Sequence, residues 1–164
     1  MSEASIRMRF VCEANPVSRT IAFLSEGHLS HVDAIDNGGM AWGERTDRVG
    51  GKPPGMQCRH PDYAKFTRVV MMEIPCTQLQ HESFWAFHHS QENKPYDTEA
   101  IWGFAVNRTW HHPGYWFCSA IQVAAEQSVD LIEYELYLPP WKNTPVMCAQ
   151  LNSSIKGVKW KEII

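Results

Sequence analysis

A chain of 164 residues with a 44% hydrophobic and 12% aromatic share can bury the core of one domain, which excludes a disordered segment. Its net charge of -3, with no basic stripe, gives nucleic-acid binding no electrostatic support. The 5 cysteines, Cys12, Cys58, Cys76, Cys118 and Cys148, are scattered without a CxxC pair and read as reduced thiols, not a disulfide framework.

No stretch approaches the roughly 20 apolar residues of a membrane span. Met1 to Phe10 lacks the apolar run of a signal peptide, so the expectation is a cytoplasmic protein, or one that is phage-borne or delivered by another system. Residues 1–164 read as a single domain with no repeat and no low-complexity segment.

In chain order, Ile6, Met8 and Phe10 alternate with Arg7 and Arg9 and predict a strand with one polar face. Asn15-Pro16 is a helix start, with Asn15 as cap and Pro16 at the first helical position. Val17, Ile21 and Leu24 mark a short amphipathic helix stopped by Gly27.

Asn37-Gly38 between apolar runs predicts a two-residue hairpin turn. Asp36 then pairs with Gly39, Ile35 with Met40, Asp33 with Trp42 and His31 with Glu44. Opposed side chains share a face, so this register sets a carboxylate beside a histidine. A one-residue slip undoes it.

Residues 45–63, rich in Gly, Pro and charge, read as a long loop. Lys65 to Ile74, and Phe66 to Met72 in particular, reads as a strand ended by Pro75. Thr77 caps a helix to Ser90, with Gln80 completing a capping box. Asn93 to Asp97 is a turn, and Thr98 to Val106 a helix with Ile101, Trp102 and Ala105 inward. After the turn His111-His112-Pro113-Gly114, the segment Tyr115 to Ser128 carries apolar residues at Phe117, Ile121, Ala124 and Ala125. That is helical spacing, and it puts Cys118 in the first turn, where the positive helix end favours a thiolate. Asp130 to Leu138 reads as a strand, Thr144-Pro145 opens a helix through Leu151, and Gly157 to Ile163 is a final strand or tail.

Three motifs in order resemble the NlpC/P60 group of papain-like cysteine hydrolases, in its circularly permuted, YiiX/YaeF-like branch. Gly27-His28-Leu29-Ser30-His31-Val32-Asp33-Ala34-Ile35 resembles the histidine strand, Lys94-Pro95-Tyr96-Asp97 the stretch before the cysteine helix, and Trp116-Phe117-Cys118-Ser119 the cysteine motif. The likeness spans roughly residues 6–127. It implies an α+β fold in which a small antiparallel sheet packs on a nucleophile-bearing helix. It also implies Cys118 as nucleophile, His31 as general base, and a third polar group from the following strand. Glu44 matches that group and agrees with the hairpin register, although Gly43 could equally take the place. Tyr96 matches a tyrosine near the cysteine. Where the family often has Glu after Cys-Ser, this chain has Ala120.

The implied activity is a cysteine peptidase or amidase, acting on an amide such as a cell-wall peptide or isopeptide, with no metal and no cofactor. Asp33, two residues along the face of His31, is a second candidate for orienting the imidazole or for binding a substrate amine. Each residue has a plainer reading: Cys118 as a small core residue, His31 as a satisfied strand histidine, Glu44 as a solvated charge, Tyr96 as packing. The alternatives are a lipid ester hydrolase or acyltransferase of the same fold, and a non-catalytic binding module such as a virion component. A zinc-binding domain is a third. The histidines of His28/His31, His88-His89 and His111-His112 do not show zinc-ligand spacing.

Overall fold

Residues 3–24, 27–105, 110–131 and 138–163 are described by the computed structural model. Strand β1 (Glu3–Glu13) leads through helix α1 (Pro16–Leu24) to β2 (His31–Ile35), β3 (Ala41–Arg45), β4 (Gly55–Arg59) and β5 (Phe66–Thr77). Helices α2 (Gln78–Ser90), α3 (Thr98–Ala105), α4 (Cys118–Gln127) and α5 (Pro145–Ser153) follow, and β6 (Lys159–Glu162) closes the chain. All strand pairs are antiparallel, in the order β4-β3-β2-β1-β5-β6.

The alternation read in β1 holds on its apolar face: Ile6, Met8 and Phe10 are fully buried, in one cluster with Val32, Ala34, Phe84 and Ile121. Helices α2 and α4 cover this face. The other face is less exposed than expected: Arg9 is only 6% exposed. Local signals position the helices. Asn15 Oδ1 accepts from the Ser18 amide at 2.7 Å, Thr77 and Gln80 form the capping box, and Thr144 accepts from the Met147 amide at 3.2 Å. Helix α4 is buried almost all round, so apolar spacing extends beyond a single stripe. Among the described residues no helix is long and apolar enough to cross a membrane.

The hairpin register differs from expectation by one residue. The Asp36 amide donates to Met40 O and the Gly39 amide to Asp36 O, both at 3.0 Å, so the turn holds three residues, Asn37-Gly38-Gly39. Gly39, at φ 81°, takes the left-handed position such a turn requires. The ladder then pairs Ala34 with Trp42 and Ile35 with Ala41. Continued, it sets Asp33 beside Gly43 and takes Glu44 out of register with His31.

Two further expectations are corrected. The 45–63 stretch contains β4, whose edge is sealed by the Met56 amide donating to Lys94 O and the Asn93 amide to Met56 O, both 2.9 Å. Pro75 does not end β5, which runs to Thr77 with Pro75 opposite Ser5. Strand β6 pairs with β5 only from Val70 to Glu73, so no neighbour on that side needs the amide hydrogen Pro75 lacks. The expected strand at 130–138 lies largely outside the described residues, as do Val106 and the side chains of Ile101, Trp102 and Ala105.

Candidate active site

Helix α4 begins at Cys118, as the spacing predicts. Its N-cap, Phe117, has no side-chain acceptor, so the first-turn amides carry no side-chain cap. The thiol is 3% exposed and donates to Ser30 O at 3.9 Å, which holds it against the residue preceding β2.

The next residue, His31, opens β2. Its Nε2 donates to Asp33 Oδ1 at 2.8 Å, and Cys118 lies within its electrostatic reach. Asp33 and His31 are two residues apart on one strand, so they share a face. Burial alone would push His31 down. The Asp33 charge and hydrogen bond, with Cys118 adding to them, overcome burial and hold the imidazole up to about 9. Burial likewise opposes ionisation of Asp33, but His31 and Arg9 hold it well below the usual carboxylate range.

Arg9 and Tyr63 complete this network, and sequence reasoning missed both. Arg9 lies directly across the β1–β2 ladder from Asp33, and its Nη2 donates to Asp33 Oδ2 at 2.7 Å. The Tyr63 hydroxyl donates to the same oxygen at 2.9 Å. The Arg9 guanidinium also packs over the Tyr63 and Phe66 rings. A carboxylate with three partners inside the sheet is a fixed group. An arginine flanked by apolar strand positions was the one available signal for Arg9. Tyr63 gave none, because it lies 30 residues from Asp33.

Glu44 does not take the place expected of it. It is fully buried, and neither carboxyl oxygen has a hydrogen-bond partner among the described residues. Asp33, not Glu44, holds His31. Burial pushes the Glu44 carboxyl up to about 9, opposed by Arg59 and reinforced by Cys118. Arg59 is itself buried and spends its bonds on backbone carbonyls, donating to Gly43 O at 2.8 Å and Pro53 O at 3.0 Å. Gly43 has a steric role: a Cβ there would meet Asp33 Oδ1 at 2.4 Å.

Tyr96 is half-buried, and its peptide bridges Trp116 just before the cysteine. Burial, then Cys118 and Glu44, push its hydroxyl well above the ordinary range. His31, Glu44 and Tyr96 line one cavity of about 330 Å³, with Ser30, Arg45 and Ile21 among its other walls. Arg45 is committed elsewhere, to Glu13 and Asp47. The structure therefore gathers Cys118, His31, Asp33, Glu44 and Tyr96 in one neighbourhood and bonds His31 to Asp33.

The remaining motif residues are architectural. Asp97 caps α3 by accepting from the Ala100 amide at 3.1 Å, and it also accepts from His111 Nδ1 and the His112 amide, both 3.0 Å. His88 is fully buried, bonded to Phe84 O and Gln122, and burial drives it down to about 4. Gln122 in turn donates to Trp42 O at 3.2 Å, tying α4 to β3.

No family model matches the chain. No curated protein matches it either. Among solved structures it is similar to the metalloprotein yiiX of Escherichia coli O157:H7, described as DUF1105, with TM-score 0.60, 14% identity and 94% of each chain covered. The word metalloprotein describes that protein. In this chain no three His, Cys, Asp or Glu among the described residues are grouped to hold an ion. Nε2 of His31 and Oδ1 of Asp33 are spent on each other, so the candidate site is not a ready ligand set. At this identity the likeness is one of fold: the chain shares the mixed α+β architecture of yiiX, built here on a six-stranded antiparallel sheet.

Proposed function

We propose that the chain is a cysteine peptidase or amidase of permuted papain-like topology, a single domain over residues 1–164. In this reading Cys118 is the nucleophile, His31 its acid–base partner, and Asp33 the group that orients His31. The observation that carries it is the imidazole bonded to Asp33 at 2.8 Å, with Cys118, at the helix start, donating to the residue next to it, Ser30. His31 stands beside the thiol to exchange its proton as the sulfur attacks.

The thiolate attacks an acyl carbon, and the developing oxyanion meets the first-turn amides of α4, to which the Phe117 side chain makes no cap bond. His31 passes its proton to the leaving amine. As a neutral base it then activates the water that cleaves the acyl-enzyme. Asp33, fixed by Arg9 and Tyr63, keeps the ring in one orientation throughout. An amide such as a cell-wall peptide or isopeptide suits the polar groups of the cavity. An ester hydrolase or acyltransferase would form the same acyl-enzyme and differ in the leaving group or acceptor.

The test is the rate at which methyl methanethiosulfonate modifies Cys118 at pH 7, read by peptide mapping, in wild type and in His31→Ala. The expected result is a drop of about tenfold or more in the variant, since the sulfur loses its acid–base partner. Equal rates would leave a binding module as the better account.

A further inference from the structure

The thiol of Cys118 is closed off from the cavity beside it. Cys118 is 3% exposed and is not among the described walls of that cavity, although Ser30, His31 and Tyr96 are. Yet the thiol donates to Ser30 O at 3.9 Å, so the sulfur lies directly behind one of those walls. A group entering the cavity reaches the sulfur only past the side chains that line it.

The walls differ in how firmly they are held. The Ser30 hydroxyl donates to Val11 O at 3.3 Å, His31 is bonded to Asp33 at 2.8 Å, and Arg45 is paired with Glu13 and Asp47. Tyr96 is large and half-buried, and it packs on the cluster of Ala100, Phe117 and Ala120, which brackets Cys118 at the start of α4. Its backbone is fixed. The Trp116 amide donates to Pro95 O at 3.3 Å, and the Asp97 amide to Trp116 O at 2.6 Å. With the chain tied down on both sides of residue 96, the width of the approach to the sulfur is set by the ring and its rotamer.

We propose that Tyr96 is a size-selecting residue, its ring standing between the cavity and the Cys118 sulfur. A narrow group passes it and a broad one is turned back. In substrate terms the acyl group that reaches the sulfur is unbranched next to its carbonyl, as in a glycyl or straight-chain acyl unit. The choice of acyl group rests on the proposed hydrolase reading, whereas the screening of the thiol does not.

Methyl methanethiosulfonate and benzyl methanethiosulfonate differ only in the width of the group they transfer. With either, the Cys118 thiolate attacks the sulfenyl sulfur, a disulfide forms and methanesulfinate leaves. The reading is the methyl-to-benzyl ratio of rate constants at Cys118, by peptide mapping, divided by the same ratio for N-acetylcysteine. One sulfur makes both bonds, so changes in its ionisation cancel. Wild type is expected at about tenfold, the scale of forcing an extra group into a packed site. Tyr96→Phe, which keeps the ring, should stay near about tenfold, and Tyr96→Ala should fall to about twofold or less. Cys148, fully buried in the core, is the internal control and should remain closed to the benzyl reagent in Tyr96→Ala.

A wild-type ratio near one, a ratio that survives Tyr96→Ala, or its loss in Tyr96→Phe overturns this inference while the hydrolase reading stands. So does benzyl labelling of Cys148 that rises in step with Cys118, because a loosened fold then accounts for the gain. Modification of Cys118 that ignores His31→Ala overturns the hydrolase reading and the choice of acyl group, and leaves the screening of the thiol in place.

Discussion

At the scale of single residues, the site depends on how four ionisable or polar groups divide their charge. Asp33 is held between two cations and a phenol, so removing its charge has two consequences. In Asp33→Asn the imidazole loses the charge that holds it near 9, and burial drives it down. Modification of Cys118 by methyl methanethiosulfonate at pH 7.5 should then slow by about tenfold. Arg9 is also left buried without a counter-charge, and breaking such a pair typically costs about 3–5 kcal/mol, which a denaturant melt would read. If Asp33→Asn melts like wild type and reacts as fast, Asp33 does not orient His31.

Glu44 behaves oppositely. Its folded carboxyl is raised to about 9, so the folded state holds a proton that the unfolded chain releases near pH 4.5. The associated stability is therefore full below about pH 4.5 and declines as pH rises toward 9. At pH 7 the loss amounts to about 3 kcal/mol at most. Glu44→Gln, which cannot ionise, should raise Tm more at pH 8 than at pH 5. An equal gain at both would mean the carboxyl is not held neutral.

At the scale of elements, Gly43 shows how one strand position serves the site on the next. Gly43→Ala would drive a methyl group to 2.4 Å from Asp33 Oδ1. The carboxylate or the strand must move, and overpacking of this kind costs about 1–3 kcal/mol. The expected pattern is a lower Tm together with slower labelling of Cys118; a lower Tm with unchanged labelling would show that the strand yields and the His31–Asp33 bond survives.

Legibility from sequence divides along the same lines. Caps were readable because they act over three or four residues: Asn15, Thr77 with Gln80, and Thr144 all stand where expected. The Cys118 helix was readable because its apolar spacing is local. The hairpin was half-readable. Asn37-Gly38 announced a turn, but Gly39 enlarged it by one residue, and a period of two turns that error into a change of side-chain partner. Strand β4 was hidden by its glycines and prolines, and its pairing with β3 and with residues 93–94 is non-local. Arg9 and Tyr63 reach Asp33 across 24 and 30 residues, which no local pattern records.

For the whole molecule, stability should follow the buried acids and His31. Glu126, fully buried against Asn152 at 2.8 Å, is raised by burial to about 8, so its contribution, like that of Glu44, fades as pH climbs. His31, raised to about 9, contributes fully below about pH 6.5 and loses that contribution as pH passes 9. Asp33, lowered, contributes above about pH 4 and loses its share in acid. Together these set the maximum of a Tm–pH profile near pH 4 to 5, below the range of about 5 to 8 where most proteins peak. Glu126→Gln should flatten the alkaline side of the profile. A maximum at pH 7 or above would contradict these assignments.

Residues 93–97 join the edge of β4 to the entry of α4. On one side Met56 donates to Lys94 O and Asn93 to Met56 O; on the other Trp116 donates to Pro95 O and Asp97 to Trp116 O. The four donors come from three stretches of sequence yet belong to one seam between the edge of β4 and the entry to α4. In hydrogen–deuterium exchange the amides of Met56, Asn93, Asp97 and Trp116 should therefore lose protection together, as one opening unit. The event that frees them would also release the backbone leading into Cys118, so the slowest local opening of the sheet edge sets how often the thiol is presented on a helix without its anchorage.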